Sequence, residues 1–217
     1  MMDLTPTQDR LLEASLMHIA FDGWTRAALK RGAADAGLEP IDIDRCFPKG
    51  VRDAILHFNE WSNRQMLEAA ERHDLASLSI RGRIALLVRL RLEALEPYRD
   101  AVQAALTWFA MPGHQPLGTR LLYRTCDSVW FAAGDRSTDI NFYTKRTLLA
   151  PVLASTTLYW LSDTSPGYGD TWAFLDRGLN GVVAAGKQVG QLGQRAESLA
   201  SMANPVRLFR MIRPERG

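Results

Sequence analysis

The sequence lacks the features that mark several specialised classes of protein. Its 217 residues include only two cysteines, Cys46 and Cys126, with no Cys-x-x-Cys spacing, so neither a disulfide framework nor a zinc site is predicted and a reducing compartment is favoured. Lys and Arg number 26 against 24 Asp and Glu, and a net charge of +2 is too small to predict a nucleic-acid partner. Apolar residues at 47% and charged residues at 23% exclude a disordered or fibrous chain.

Long apolar runs are also missing. The two stretches without formal charge, residues 101–119 and 147–162, both contain proline and fall short of the ~20 consecutive apolar residues that span a bilayer. Residues 1–6 have neither a basic region nor an apolar core, so no secretory signal is predicted. We therefore expect a soluble chain.

Sustained period-two alternation is scarce, whereas helical spacing runs through almost the whole chain. The length favours one domain, and the pattern predicts an all-α protein of about ten helices. We expect an N-terminal module over 1–50, a helical body over 51–191 and a tail over 192–217. The predicted helices run from a cap at Thr7 or Asp9 to Gly23, then over about 26–36, 41–47, 51–72, 80–95, 97–109, 117–133, 139–161 and 168–192.

Sequence motifs of catalysis are absent as well. The chain has four histidines, but no His-Glu-x-x-His, Glu-x-x-His, Gly-x-Ser-x-Gly or P-loop pattern. Cys126 stands among apolar residues and is interpreted as a small buried side chain. We therefore predict no catalytic residue, no metal site and no cofactor.

Residues 10–50 have a recognisable layout: an amphipathic helix ending at Gly23, an Ala-x-x-Ala-Gly turn at 33–37, a short helix, and an aromatic-Pro-Lys sequence at 47–49. This resembles the helix-turn-helix of TetR-type repressors, whose third helix enters the major groove. The segment 35–47, however, holds four acids against one base, and DNA affinity comes largely from cations that neutralise phosphates. We therefore predict that this module does not bind DNA.

The most informative segment is residues 134–146, Gly-Asp-Arg-Ser-Thr-Asp-Ile-Asn-Phe-Tyr-Thr-Lys-Arg. It is followed by Asp-Thr-Ser-Pro at 163–166 and Asp-Thr-Trp-Ala-Phe-Leu at 170–175. Structurally these strings predict a helical hairpin with capped ends. Together they resemble the accessory proteins numbered nine in the coenzyme Q (ubiquinone) biosynthesis series, over about residues 10–191.

The resemblance implies a TetR-like helical bundle that is a homodimer, does not bind DNA, and holds an isoprenoid lipid in its body. It implies that the protein presents a quinone intermediate to the di-iron demethoxyubiquinone-type hydroxylase without catalysing a reaction. Trp172 matches a tryptophan of the family's hydroxylase-docking surface, with Tyr168 and Leu175 as expected neighbours. Because the N-terminus has no Arg-rich transit peptide, we expect a bacterial member peripheral to the inner membrane, or a trimmed organellar form on the matrix side.

The helices after residue 100 are rich in large apolar side chains. Such residues ordinarily form core, but a cavity for a polyprenyl chain needs only that some of them fail to meet, since burial of apolar area supplies about 25 cal/mol per Å2. The candidates for lipid binding are Trp108, Phe109, Trp130, Phe131, Phe142, Leu148, Leu158 and Tyr159.

The tail pairs an apolar stripe with positive charge. From Asn204 onward, four arginines against Glu215 give +3, and apolar insertion beside basic side chains is what a membrane-surface helix needs. The alternative is a helix that packs on the body or on a second subunit. The predicted membrane-binding residues are Leu199, Met202, Val206, Leu208, Phe209, Arg210, Met211, Ile212 and Arg213.

The sequence therefore predicts a non-enzymatic lipid-binding accessory protein of ubiquinone biosynthesis. A ligand-responsive repressor of the TetR type is the main alternative, because of the N-terminal module. An enzyme that acts on the lipid itself is a third, and no acid–base or metal constellation favours it.

Overall fold

The computed structural model describes residues 4–135 and 140–182, and only the backbone of residues 140–144. Over these ranges the chain forms nine α-helices and no strand, so the all-α prediction is confirmed. The helices are α1 Thr5–Asp22, α2 Arg26–Asp35, α3 Pro40–Cys46, α4 Val51–Ala70, α5 Ile80–Ala94, α6 Arg99–Ala110, α7 Gln115–Ala132, α8 Ile140–Ser162 and α9 over residues 169–182.

Local signals explain most of these ends. The Ser79 hydroxyl accepts a hydrogen bond from the Gly82 backbone N–H at 3.2 Å and begins α5. Gly23 follows α1 with φ 68°, a conformation that glycine adopts without strain. The predicted start of α1 at a Thr7 or Asp9 cap is wrong: the helix begins at Thr5, because Pro6 can stand in a first turn.

The predicted helix from Pro97 also begins late. A 3-10 turn over Glu96–Tyr98 precedes α6, which starts at Arg99. Pro97 lies in the first turn of that short helix, where its missing N–H costs no hydrogen bond. The rest of the predicted helix follows in α6, so the error affects only its first turn.

The N-terminal module, α1 to α3, packs tightly within itself and onto the body. A Cβ on Gly32 of α2 would lie 2.1 Å from Ser15 Oγ and 2.5 Å from Ser15 Cα, so only glycine permits this approach of α2 to α1. The Trp24 indole donates to the Ala101 carbonyl of α6 at 3.0 Å. Buried residues of the module and of the body belong to one continuous apolar core.

Close helix approaches also build the body. Gly118 of α7 faces the Phe109 ring of α6, where an added Cβ would come within 3.0 Å of the ring. Gly178 of α9 lies against Val152 of α8, where an added Cβ would meet a methyl group at 2.9 Å. These contacts bring α6 to α9 together around the site described next.

Candidate functional site

A cavity of about 460 Å³ lies between α4, α5, α6, α7 and α8. Its size falls within the usual range of small-molecule sites, and its lining is mainly apolar, as such sites are. Val102 and Ala105 of α6, Leu121 of α7 and Leu153 of α8 form part of its wall. The cavity can therefore hold an apolar chain.

Burial distinguishes two ends of the cavity. The lining residues that are exposed to solvent are Ala110, Gln115, Thr119 and Leu158, which mark its mouth. Thr125, also on α7, is buried and lies at the inner end. Ten residues of helix separate Gln115 from Thr125, which corresponds to about 15 Å.

The inner end carries polar groups. Arg91 of α5 donates from Nε to Asn63 Oδ1 and from Nη2 to Asn59 Oδ1, both at 3.1 Å. The Thr125 hydroxyl donates to the same Asn59 oxygen at 3.1 Å. We call Asn59, Arg91 and Thr125 the inner polar cluster; all three line the cavity.

Burial dominates the electrostatics at this end. Loss of water around the guanidinium lowers the pKa of Arg91 to about 10, so it remains a cation at neutral pH. Burial raises the pKa of the neighbouring Cys126 thiol to about 12, and the thiol is therefore neutral. Among the described residues, no carboxylate lies within ion-pair distance of Arg91.

Of the predicted lipid-binding residues, Phe109 and Leu158 line this cavity. Trp108 instead stacks on the His114 ring, with centroids 3.6 Å apart, and Trp130 donates to the Lys145 carbonyl at 3.2 Å. The Phe131 side chain is 76% exposed.

Of the other three predicted lipid-binding residues, Tyr159 and Leu148 do not line the cavity. Tyr159 stacks on Phe174 with centroids 4.9 Å apart. Leu148 is half-buried outside the cavity lining. The side chain of Phe142 lies outside the described residues.

Which residues contact a lipid stays a prediction; the structure shows that five of the eight predicted residues lie outside the lining of this cavity. Large apolar side chains occur both in the cavity lining, as Phe109 does, and in the solid core, so size alone does not locate a void. The small residues Ala105 and Ala154 also line the cavity. Periodicity alone does not show which small residues face one another across helices.

The predicted partner-binding residues separate into surface and core. Tyr168 and Trp172 meet edge to face at 6.4 Å, and the Arg89 guanidinium lies 5.1 Å from the Trp172 ring centre. We call these three side chains the Trp172 patch. Leu175 is only 2% exposed and belongs to the core, so it cannot contact a partner at this surface.

The turn before α9 fixes the patch. The Trp172 indole donates to the Gly167 carbonyl at 2.8 Å, and the Tyr168 hydroxyl donates to Glu96 at 3.0 Å. Tyr168 has φ 58°, which is uncommon for a bulky residue. Neighbouring contacts therefore hold this aromatic residue in a costly backbone conformation.

Three further findings concern the remaining predictions. Over residues 4–135 and 140–182, no group of three or more His, Cys, Asp or Glu side chains is arranged to hold a metal ion. In the same ranges no helix is both long and apolar enough to cross a bilayer. The predicted membrane-binding residues, from Leu199 to Arg213, lie outside the described residues.

Known proteins resemble this chain along most of its length. A sequence model of the COQ9 family matches residues 115–186. The mitochondrial ubiquinone biosynthesis protein COQ9 of Drosophila melanogaster is 34% identical over 178 residues, which cover 80% of this chain and 54% of that protein. Human COQ9 is 33% identical over 199 residues, which cover 88% of this chain and 62% of that protein. COQ9-B of Xenopus laevis is 31% identical over 201 residues, which cover 88% of this chain and 68% of that protein. The chain belongs to the COQ9 family.

The COQ9 match covers part of each candidate site. Residues 115–186 include α7, α8 and α9, and thus one wall of the cavity and Trp172. The chain spans 54% of the Drosophila relative and 62% of the human one. A solved TetR transcriptional regulator from Nitrosomonas europaea superposes with a TM-score of 0.65 at 21% identity, covering 82% of this chain and 98% of that one. This likeness shows a TetR-like fold.

Proposed function

We propose that this chain is a non-enzymatic lipid-binding accessory protein of ubiquinone biosynthesis. In this proposal it binds an isoprenoid quinone intermediate in its cavity and presents it to the di-iron demethoxyubiquinone-type hydroxylase. Its COQ9 relatives are named as ubiquinone biosynthesis proteins of mitochondria, which supports the pathway.

One observation carries the lipid part of the proposal: a mainly apolar cavity of about 460 Å³ that opens between α6, α7 and α8. Apolar chains gain about 25 cal/mol for each Å2 they bury, and the burial of an isoprenoid chain does not depend on matched polar groups. Phe109 and Leu158 are the sequence-predicted residues that we retain for this role.

The Trp172 patch supports the docking part of the proposal. It presents two aromatic rings and a cation on a partly exposed surface, and aromatic and arginine side chains are enriched where proteins bind each other. We propose that Tyr168 and Trp172 contact the hydroxylase.

The proposal also includes membrane association through the basic tail and a homodimer. Light scattering in solution tests the dimer, with an expected mass of twice 24.3 kDa.

Extraction of the purified protein with organic solvent, followed by mass spectrometry, tests lipid binding. We expect co-purified isoprenoid or phospholipid from the wild type. Ala154→Phe should lose most of it, because Ala154 lines the cavity and a ring there would fill the space. Thr147→Phe is the matched control, since Thr147 lies on the same helix but is exposed.

A wild-type protein that carries no lipid and takes up no added quinone would overturn the proposal. Equal lipid content in Ala154→Phe and Thr147→Phe would place the bound lipid outside this cavity.

A further inference from the structure

Arg91 is a partly buried cation whose observed partners are all neutral. It faces two asparagine side-chain oxygens and a neutral thiol, and among the described residues it forms no ion pair. A buried charge is costly unless an opposite charge or several hydrogen bonds compensate it. A group that helps to compensate this charge could come from a ligand, because Arg91 lines the cavity.

The hydrogen bonds leave donors unused at this point. Arg91 carries five N–H donors, and those of Nη1 make no hydrogen bond to another described residue. Asn59 Oδ1 accepts from both Arg91 and Thr125, which fixes the orientation of the amide. Its other end, Nδ2, has no hydrogen-bond partner among the described residues. The inner polar cluster thus lacks acceptors.

We propose that Arg91 and Asn59 bind an oxygen acceptor of the ligand's head group at the inner end of the cavity. The ligand is then an amphiphile whose apolar chain extends from this cluster towards the mouth at Gln115 and Leu158. This inference rests on the proposed function, because it assigns the head-group contact within the same cavity.

The direction of binding follows from where polar and apolar surfaces lie. The cluster is at the buried end, about 15 Å along α7 from the mouth, and the wall between them is mainly apolar. A head group held there lies beside the buried Thr125 and away from the exposed residues of the mouth. Delivery to the hydroxylase therefore requires the ligand to leave the cavity, since the head group is not displayed at the surface while it is bound.

Two kinds of head group supply the oxygen acceptor that Arg91 and Asn59 lack. A carboxylate or phosphate would accept from Arg91 and also neutralise its charge, which makes the hydrogen bonds stronger. A quinone ring would accept through its carbonyl oxygens and leave the charge uncompensated. An alcohol on the same chain offers one weak acceptor and serves as the reference.

Four probes with a ten-carbon chain separate these cases: decanoate, decyl phosphate, decylubiquinone and decanol. Isothermal titration calorimetry below their micelle concentrations measures binding to the full chain. We expect decanoate and decyl phosphate to bind about tenfold or more tightly than decanol, the size expected for a charge-assisted hydrogen bond.

Two variants change the cluster in different ways. Arg91→Met removes the cation and should weaken the binding of the two anions by about tenfold, with little effect on decanol. Asn59→Asp keeps the shape and supplies an internal carboxylate to Arg91, so it should remove the same preference without deleting the arginine. Arg124→Met is the matched control, because Arg124 is an exposed arginine of α7 that pairs with Glu60 outside the cavity. Circular dichroism and thermal melting establish that each variant is folded.

The outcomes separate the two proposals. If no probe binds, both lipid binding and this inference fail. If all four probes bind equally to wild type, Arg91→Met and Asn59→Asp, the head-group contact is wrong and lipid binding stands. Loss of anion binding in both cluster variants supports the inference and assigns an acidic head group. Loss of decylubiquinone binding in Arg91→Met supports it and assigns a quinone ring.

Discussion

At the scale of single residues, Asp163 stabilises the junction between α8 and α9. Its carboxylate accepts hydrogen bonds from the Thr171 hydroxyl at 2.6 Å, the Thr171 N–H at 2.9 Å and the Ser165 N–H at 2.7 Å. The Thr171 hydroxyl contributes most to lowering the pKa of Asp163 to about 2. The same junction positions Tyr168 and Trp172, so this carboxylate links local stability to the candidate docking surface.

We predict that stability falls between about pH 4 and pH 2 as Asp163 takes up a proton. A carboxyl whose pKa is lower in the folded state stabilises the fold above its unfolded-state pKa, and this contribution is lost as the pH falls through the folded-state value. Asp163→Asn should lower Tm at pH 7 and show a smaller loss of Tm on acidification. Thermal melts at pH 7, 4 and 2 measure this, with the exposed Glu71→Gln as the control. Identical pH profiles for wild type and Asp163→Asn would contradict the assignment.

We predict that Trp172→Lys weakens binding to the purified di-iron hydroxylase by about tenfold or more, as expected for an aromatic residue that dominates an interface. Trp172 is only partly buried, so the fold should persist. Biolayer interferometry gives the affinity and circular dichroism the helical content. Phe21→Lys is the control, since Phe21 on α1 is 88% exposed and far from α9 in sequence. Unchanged affinity in Trp172→Lys would show that Trp172 serves packing alone.

The roles of individual residues were harder to predict from the sequence than the helices or the fold. The sequence singled out Trp172 and the Asp163 turn because they belong to a long specific motif, and the docking role of Trp172 stays a prediction. The cavity residues Arg91 and Asn59 belong to no motif, and their proposed role rests on the lack of an ion-paired carboxylate at Arg91 within the part of the chain that the structure describes. That absence is a property of three-dimensional packing.

At the scale of elements, prediction succeeded where the chain carries its own stop and start signals. Ser79 caps α5, and the Asp-Thr-Ser-Pro sequence separates α8 from α9. The start of α1 was wrong because two polar residues could each have capped a helix that in fact begins before them. The Asp9 side chain instead contacts His57 at 2.6 Å, a partner 48 residues away.

The basic tail is the element whose role depends least on the described fold. We predict that removal of residues 204–217 abolishes co-sedimentation with anionic liposomes and leaves the circular dichroism of the body nearly unchanged. Each basic residue near such a surface contributes about 1 kcal/mol, and this segment has a net charge of +3. Replacing Arg207, Arg210 and Arg213 with glutamine is the companion variant that keeps the length. Full co-sedimentation of the truncated chain would refute the membrane role.

At the scale of the whole molecule, a TetR-like fold does not imply a repressor. In the N-terminal module Arg26 pairs with Asp44 at 2.8 Å and Arg45 pairs with Asp42 at 3.1 Å. These basic groups therefore meet carboxylates, and α3 presents exposed acid at the position of a recognition helix.

We predict no band shift with DNA from the protein's own upstream region, even at low salt where phosphate contacts are strongest. An electrophoretic assay with a known basic DNA-binding domain as the positive control provides the measurement. A retarded band that survives competitor DNA would favour the repressor alternative instead.

The sequence by itself determined the helical class, most helix boundaries and the family, because apolar periodicity, caps and a long motif are local properties of the chain. Only the tertiary structure decided that α4 to α8 leave a cavity between them and that Leu175 is core. It also decided that Arg91 stands at the inner end among neutral groups. A void or an uncompensated charge forms where distant segments of the chain bring no filling or neutralising group to that place. A local sequence pattern does not show this, because it contains no information on which distant groups meet.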